Sequence, residues 1–201
     1  QVRPMSPVGP RRTATLLLAV ILAVSGVACG GKGSGKKGAD RVERVRPVLV
    51  AGAVKVASVF PGLTLPPATR DAALDAARSY VAAALTAPLE TGTVDPTFAR
   101  LFVPGLRAAA TGPDAGALTD TGLTGVGAYR SQATPVRLAA FAGPDGRIAY
   151  VAPSFTVTTD VATSGGPVRI NRNVELTLAR RDGGWPITAY RVTVRRARPP
   201  P

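Results

Sequence analysis

Apolar and polar residues alternate along the last third of the chain, from about 134 to 196, and this alternation predicts β-strands. Val, Ile, Thr and Tyr, which favour strands, are frequent there. Three turn signals divide the region: Gly143-Pro144-Asp145-Gly146, Ser164-Gly165-Gly166-Pro167 and Asp182-Gly183-Gly184. We therefore predict four strands joined by tight turns, an antiparallel meander whose apolar face an upstream element must cover.

A helical pattern precedes the strands. Between 68 and 86 apolar residues recur at helical spacing and predict a helix that Pro88 ends: Leu74, Ala77, Val81 and Leu85. Asp95, which is followed by proline, is typical of a second helix start, and a short helical piece is expected over 115–118. Residues 48–60 are interpreted as an extended segment on the edge of the domain. Helices followed by a meander are an α+β layout.

The turns set the strand register. A two-residue turn at Gly165-Gly166 predicts Phe155 opposite Leu176 on an apolar face of the sheet. The same register puts Asp160 and Glu175 on the opposite, polar face, because successive side chains of a strand alternate between faces.

Two further features bear on the strands. Pro153 is expected at a β-bulge or an unpaired edge position, since proline has no N–H for the ladder and the parity of the apolar residues changes there. For the last hairpin we predict a three-residue loop, Asp182-Gly183-Gly184, with Gly184 at positive φ. This loop sets Glu175 opposite Arg191 in an exposed pair.

Residues 67–196 combine a long helix, a broken shorter helix, a Gly-Pro-Asp turn and long strands that end in Gly183-Gly184-Trp185-Pro186-Ile187-Thr188-Ala189-Tyr190. In these features the chain resembles the nuclear transport factor 2-like superfamily. It implies an α+β fold in which N-terminal helices pack on a curved, cone-like, four-stranded antiparallel meander. The superfamily includes ketosteroid-isomerase-like enzymes, polyketide cyclases and many non-catalytic domains of exported lipoproteins.

The N-terminal residues have the layout of a secretory signal peptide over 1–28. Arg11 and Arg12 precede a run of apolar residues too short to span a bilayer, and small residues lead to Cys29, the only cysteine. Cys29 and the glycines after it resemble a bacterial lipobox, in which the cysteine becomes the diacylated first residue, although Gly26 stands where an aliphatic residue is usual. A translation start at Met5 would give the basic region of the signal peptide a conventional length. A plain signal peptide, an uncleaved anchor and twin-arginine export are the alternatives.

The positive charge is concentrated near the ends of the chain. Residues 1–55 hold 10 of the 25 basic residues but 2 of the 12 acidic ones, out of a net charge of +13. Residues 29–66 are interpreted as a basic, flexible tether with an extended segment, and 197–201 as a proline-rich tail. The expected location is the extracytoplasmic face of the cell membrane, reached through a lipid anchor. Because such a protein rarely meets nucleic acid, no nucleic-acid partner is expected.

The residues available for catalysis are few. Histidine is absent and cysteine occurs once, which excludes a histidine-based triad, a histidine-ligated metal and an internal disulfide. Most acidic residues fall at helix caps or in turns, so that only Glu90, Asp160 and Glu175 lack an evident structural role. The remaining candidate pocket residues are aromatic: Tyr80, Tyr150, Tyr190 and Trp185. We expect no catalytic residue, no metal and no cofactor.

Two functions are compatible with this sequence. The leading hypothesis is a non-catalytic, lipid-anchored domain that binds a partner protein or envelope component. The alternative is a carrier or pocket enzyme for a hydrophobic small molecule, with Tyr190 at the base of the cone interior. A side-chain-filled interior would favour the first, and an open apolar cavity with convergent polar groups would favour the second.

Overall fold

The computed structural model describes residues 42–198. The predicted signal peptide, the lipidation site Cys29, the first part of the predicted tether and residues 199–201 lie outside this range.

Seven strands within the described residues form one mixed, curled sheet. The longest of them, β5, has β3 and β4 side by side along one edge and β6 along the other, while β7 pairs with β6. Two strands from before the helices, β1 and β2, pair in parallel with β3 and β4. The bounds are β1 Arg44–Val45, β2 Ala51–Ala57, β3 Tyr129–Ala133, β4 Val136–Ala142, β5 Ile148–Thr163, β6 Gly166–Ala179 and β7 Ile187–Ala197.

The predicted fold class, N-terminal helices on a four-stranded antiparallel meander, is wrong. The sheet is a half-barrel of seven strands, and two of its pairings are parallel. The extended segment at 48–60 does lie on the edge, but as strand β2 of the sheet itself. Parallel pairing joins segments that are distant in sequence, with no tight turn between them. No local turn motif therefore indicates which strands pair.

The helical region is one irregular rod followed by short pieces. Helix α1 (Pro67–Tyr80) continues through a π-helical segment (Val81–Thr86) into α2 (Ala87–Thr91), so Pro88 does not end it. Proline removes one helical N–H, and the wider π turn just before it accommodates that loss. Gly92, at φ 79°, ends the rod. A 3₁₀ turn (Phe98–Leu101), α3 (Pro104–Thr111) and α4 (Ala115–Leu118) follow, the last as predicted.

The core lies between this helical layer and the inner face of the sheet. Alternate residues of β5 from Val151 to Val161 point inward, as do alternate residues of β6 from Ile170 to Leu178. They meet buried residues of α1, the π segment and the 3₁₀ turn, among them Leu74, Tyr80 and Phe98. The inner surface is therefore filled by side chains.

The first predicted hairpin register is displaced by two residues. The turn is Ser164-Gly165, so that Thr163 lies opposite Gly166 and Phe155 opposite Val174 rather than Leu176. Because the displacement is even, each side chain keeps the face predicted for it. Asp160 and Glu175 lie on the polar face, as expected.

Pro153 marks neither a β-bulge nor a sheet edge: it is buried and lies opposite Leu138 in a regular antiparallel register with β4. Toward β6, the paired residues stop at Val151 and resume at Ser154, so the ladder is interrupted at Pro153, as expected of a residue without an N–H. The irregularity lies nearer the hairpin, where Phe141 faces Tyr150 but Ala142 faces Ile148. In the sequence, the alternation of apolar residues shifts by one position before Pro153. It does so because Tyr150, although aromatic, points outward, with 49% of its surface exposed.

The last hairpin has the predicted register but not the predicted loop. Asp182 and Gly183, at φ 49° and 80°, form a two-residue turn, and Arg181 bridges Gly184. An irregularity between Thr177 and Leu178 then adds one residue on the β7 side. Glu175 therefore faces Arg191 as predicted, because this bulge compensates for the shorter turn. The described residues show no ion pair between the two side chains.

Candidate functional site

The outer face of the sheet carries an ordered array of polar side chains across β3 or β4, β5, β6 and β7. Three rows follow from the register: Gln132, Thr158, Asn171 and Arg195; Thr134, Thr156, Asn173 and Thr193; Arg137, Ser154, Glu175 and Arg191. Adjacent strands lie about 4.8 Å apart, so each row spans roughly 14 Å. This array presents hydroxyl, amide and guanidinium groups at regular spacing.

Two adjoining grooves run over this array. The larger, of about 750 Å³, extends from Ala53 in β2 to Thr193 in β7. It includes the second and third of these rows, those that begin at Thr134 and at Arg137. The smaller, of about 400 Å³, begins at the same Thr134 and Thr156 and reaches Arg130 and Arg169. Both are open to solvent on the polar side of the sheet. They form the candidate functional site of the described residues, which we call the outer groove.

Neighbouring side chains hold much of the outer groove in place. The Thr156 hydroxyl donates to the Asn173 side-chain oxygen at 2.8 Å, and the Thr156 N–H donates to the Thr134 hydroxyl at 2.9 Å. Arg169 makes two hydrogen bonds to Asp160, of 2.7 and 3.0 Å. The arginine lowers the pKa of Asp160, mainly through these hydrogen bonds and against the effect of burial.

The outer face of the sheet also carries arginines without an acidic partner. The ion pairs between described residues engage Arg130 and Arg169, but they do not include Arg137, Arg191 or Arg195. All three are exposed. Glu175 lies in the row between two of them, so it offsets part of this positive charge.

The inner face holds a different polar cluster, which sequence reasoning missed. Arg172 points into the core, with 1% of its side chain exposed, and donates to Asp120 at 2.8 Å. Its other nitrogens donate to the backbone oxygens of Ala117 and Thr119, at 3.1 and 2.9 Å. Burial raises the pKa of Asp120, and the Arg172 guanidinium opposes that rise.

A signal for this cluster was present in the sequence. Arg172 lies in the alternation that puts Ile170 and Val174 on the inner face, and a charge there needs a buried partner. Asp120, which stands just after α4 and before Thr121-Gly122, is one of the acidic residues whose sequence context indicates a turn. The same segment is held at two further points: the Tyr80 hydroxyl donates to the Leu118 oxygen at 2.7 Å, and the Asp120 N–H donates to the Ala84 oxygen at 3.0 Å.

The four aromatic candidates do not come together in a pocket. Tyr80 is fully buried, whereas Tyr150 is exposed on the outer face. Tyr190 packs edge-on against Phe102 and donates to Asp114 at 2.6 Å. Burial and the Asp114 carboxylate raise its pKa to about 12. Trp185 lines a small depression on the surface beside the 3₁₀ turn.

Of the three acidic residues without an assigned role, Glu90 has a structural one. Its carboxylate accepts from Arg46 at 2.8 and 2.9 Å and from the Tyr129 hydroxyl at 2.6 Å. Burial acts to raise the pKa of Glu90, but these hydrogen bonds outweigh it and the pKa is lowered. The cluster ties the residues just after β1 to α2 and β3.

The side chains of the Arg172–Asp120 cluster and of the Glu90 cluster are engaged by partners within the chain. Within the described residues no group of three or more potential ligands is arranged to hold a metal ion. The buried Arg172–Asp120 pair contacts backbone oxygens rather than a cavity. In residues 42–198, no helix is both long and apolar enough to cross a membrane. The arrangement on the outer face is suited to binding through hydrogen bonds and positive charge.

Comparison with known proteins does not identify the chain: no protein-family model matches it, and neither the curated proteins nor the solved structures gave a significant match.

Proposed function

We propose that the chain is a non-catalytic binding domain, held at the extracytoplasmic face of the cell membrane by a lipid on Cys29. Its ligand is a partner protein or another component of the envelope, and the binding surface is the outer groove.

The filled interior is the observation that carries the binding role. A carrier or pocket enzyme needs an enclosed space with convergent polar groups. In the described residues the inner face of the sheet instead meets the helical layer through closely packed side chains such as Leu176, Phe98 and Phe102. Tyr190, the residue suggested for the base of a pocket, is engaged with Asp114 and Phe102. These contacts favour a domain that acts through its surface.

The outer groove supports a surface role in a second way. Polar faces of antiparallel sheets are often simply solvated. Here the face carries grooves and three arginines whose charge no described acidic residue neutralises by an ion pair. Arginine is enriched at binding surfaces because its planar guanidinium donates several hydrogen bonds at once.

The proposed location rests on the N-terminal sequence. A basic segment, an apolar run and a single cysteine followed by glycines are the features that support export and lipid attachment.

The proposed lipid attachment is tested by intact-mass measurement on the membrane fraction of a bacterium that expresses the full chain. We expect a mature protein that begins at Cys29 and carries the mass of a diacylglyceryl group. The Cys29→Ser variant should lose both the lipid mass and the membrane association. An unmodified Cys29, or cleavage elsewhere, would reject the lipid anchor.

The binding role is tested by cross-linking in membranes, followed by identification of what co-purifies. The variant Arg137→Glu reverses a charge inside the outer groove, and Arg147→Glu makes the same change on an exposed hairpin outside it. We expect the cross-linked partner to be lost with Arg137→Glu and retained with Arg147→Glu. Equal recovery with both variants would contradict a role for the groove.

A further inference from the structure

Strand β7 has one open backbone edge. It pairs with β6 from Ile187 to Ala197. On its other side, the described residues make backbone contacts with it only at its start, where Ile187 bridges Phe102 and accepts from the Val103 N–H at 3.0 Å. From 188 onward no described strand pairs with that side. An edge of this length is a template for an added strand.

The open edge carries a strong positive charge. Strand β7 and the residue after it contain four arginines and no acidic residue: Arg191, Arg195, Arg196 and Arg198. None of the four takes part in an ion pair between described residues. Glu175 faces Arg191 from β6, on the side away from the open edge. The charge therefore favours an acidic occupant.

A second copy of the chain is a poor occupant. Antiparallel pairing of two β7 strands centred on Thr193 would set Arg191 of each copy opposite Arg195 of the other. Like charges directly opposite each other destabilise a strand pair. The chain's own N-terminal residues are equally unsuitable, because residues 1–55 hold 10 basic residues and 2 acidic ones.

We propose that an extended acidic segment of a partner protein adds to the open edge of β7 as a further strand of the sheet. This inference rests on the proposed binding function and names the partner's chemistry. Backbone hydrogen bonds give such a strand its affinity, and its alternating side chains give specificity.

The two faces of β7 specify the pattern of the added segment. On the outer face, Arg191 and Arg195 are exposed and call for Asp or Glu beside them. On the inner face, Val192 and Val194 are only half-buried, because the helical layer does not fully cover this edge. An apolar residue beside each valine would remove more of its surface from water. The segment should therefore alternate acidic and apolar residues.

The test measures binding of short fluorescent peptides to the full purified chain. One peptide alternates Glu with Val and Thr, and a second has Lys in place of each Glu. Two further versions of the acidic peptide carry N-methyl groups on alternate residues, so that each has one of its two backbone edges blocked. The variant Arg191→Glu/Arg195→Glu is compared with Arg70→Glu/Arg147→Glu, which changes the net charge equally at exposed sites away from β7.

We expect the acidic peptide to bind and the Lys peptide not to bind. The β7 variant should weaken binding by about tenfold, because two favourable cross-strand pairs become repulsive, whereas the control variant should stay within about twofold. N-methylation of one edge should weaken binding much more than N-methylation of the other. Hydrogen exchange should show new protection of β7 amides on peptide binding.

Three results would overturn the proposal: equal affinity of all acidic peptides whichever edge is blocked, equal loss with both arginine variants, or a wild-type chain that is itself a dimer through β7. A partner recovered by cross-linking that depends on Arg137, together with failure of the acidic peptide, would reject the added strand and leave the binding function standing. If the acidic peptide fails to bind and no cross-linked partner depends on Arg137, both the added strand and the proposed binding function are rejected.

Discussion

Two arginines of β6 form ion pairs with aspartates on opposite faces of the sheet. The N–O distances of the two pairs are almost equal. Arg172 and Asp120, 2.8 Å apart, each expose 1% of their side chain, whereas Arg169 and Asp160, 2.7 Å apart, each expose 44%. Water solvates the outer charges whether or not they meet, so the pair adds little. The inner charges have no such alternative, and each depends on the other and on backbone oxygens. Equal distances therefore hide very different consequences.

The largest expected effect comes from separating the inner pair. Arg172→Met leaves the Asp120 carboxylate buried without its partner and should lower the free energy of unfolding by about 3–5 kcal/mol. Urea denaturation measures this loss. Arg169→Met, on the same strand, should leave the midpoint nearly unchanged. Equal losses in the two variants would mean that burial does not distinguish the pairs.

Restoring an apolar pair sharpens the same comparison. Because a well-packed apolar replacement of a buried ion pair is often neutral or stabilising, Arg172→Met combined with Asp120→Leu should regain most of the stability lost by Arg172→Met alone. The double variant also leaves the oxygens of Ala117 and Thr119 without their donor, so recovery should be incomplete. A double variant no more stable than Arg172→Met would show that these backbone contacts dominate.

A smaller effect compares two tyrosines on the two faces. Tyr80→Phe removes the buried hydrogen bond to the Leu118 oxygen and should cost about 1–2 kcal/mol in the free energy of unfolding. Tyr150→Phe, on the outer face, should have no measurable effect on the same urea curve. A cost for Tyr150→Phe equal to that for Tyr80→Phe would contradict the assignment of the two faces.

The smallest effect is in the pH dependence of stability. Burial raises the folded-state pKa of Asp120, so its contribution to stability is lost as the pH rises from its ordinary pKa to that raised value. Asp160 has a lowered pKa because of Arg169, so its contribution is present above the ordinary pKa and is lost as the pH falls. Asp120→Asn and Asp160→Asn should therefore change the slope of stability against pH in acid in opposite directions. Slopes that change in the same direction would reject this assignment.

Much of the local structure was predictable from the sequence. The alternation of side chains determined which residues of β5 and β6 face the core, including the outward position of Asp160 and Glu175. It did so even though the first hairpin register was displaced by two residues, since an even displacement preserves the faces. The Glu175–Arg191 register was also predictable, although a two-residue turn and a bulge produce it instead of the longer loop.

The sequence by itself determined the strand faces, the short helix at 115–118 and the scarcity of groups for proton transfer, because these depend on neighbours in the chain. Only the tertiary structure decided the half-barrel, the continuation of the helix past Pro88, the pairing of Arg172 with Asp120 and the open edge of β7. Each of these features depends on contacts between segments that are distant in the sequence. This holds for the parallel strand pairs, for the π-helical segment and for the buried ion pair. Which residues meet therefore depends on how the whole chain closes around its core.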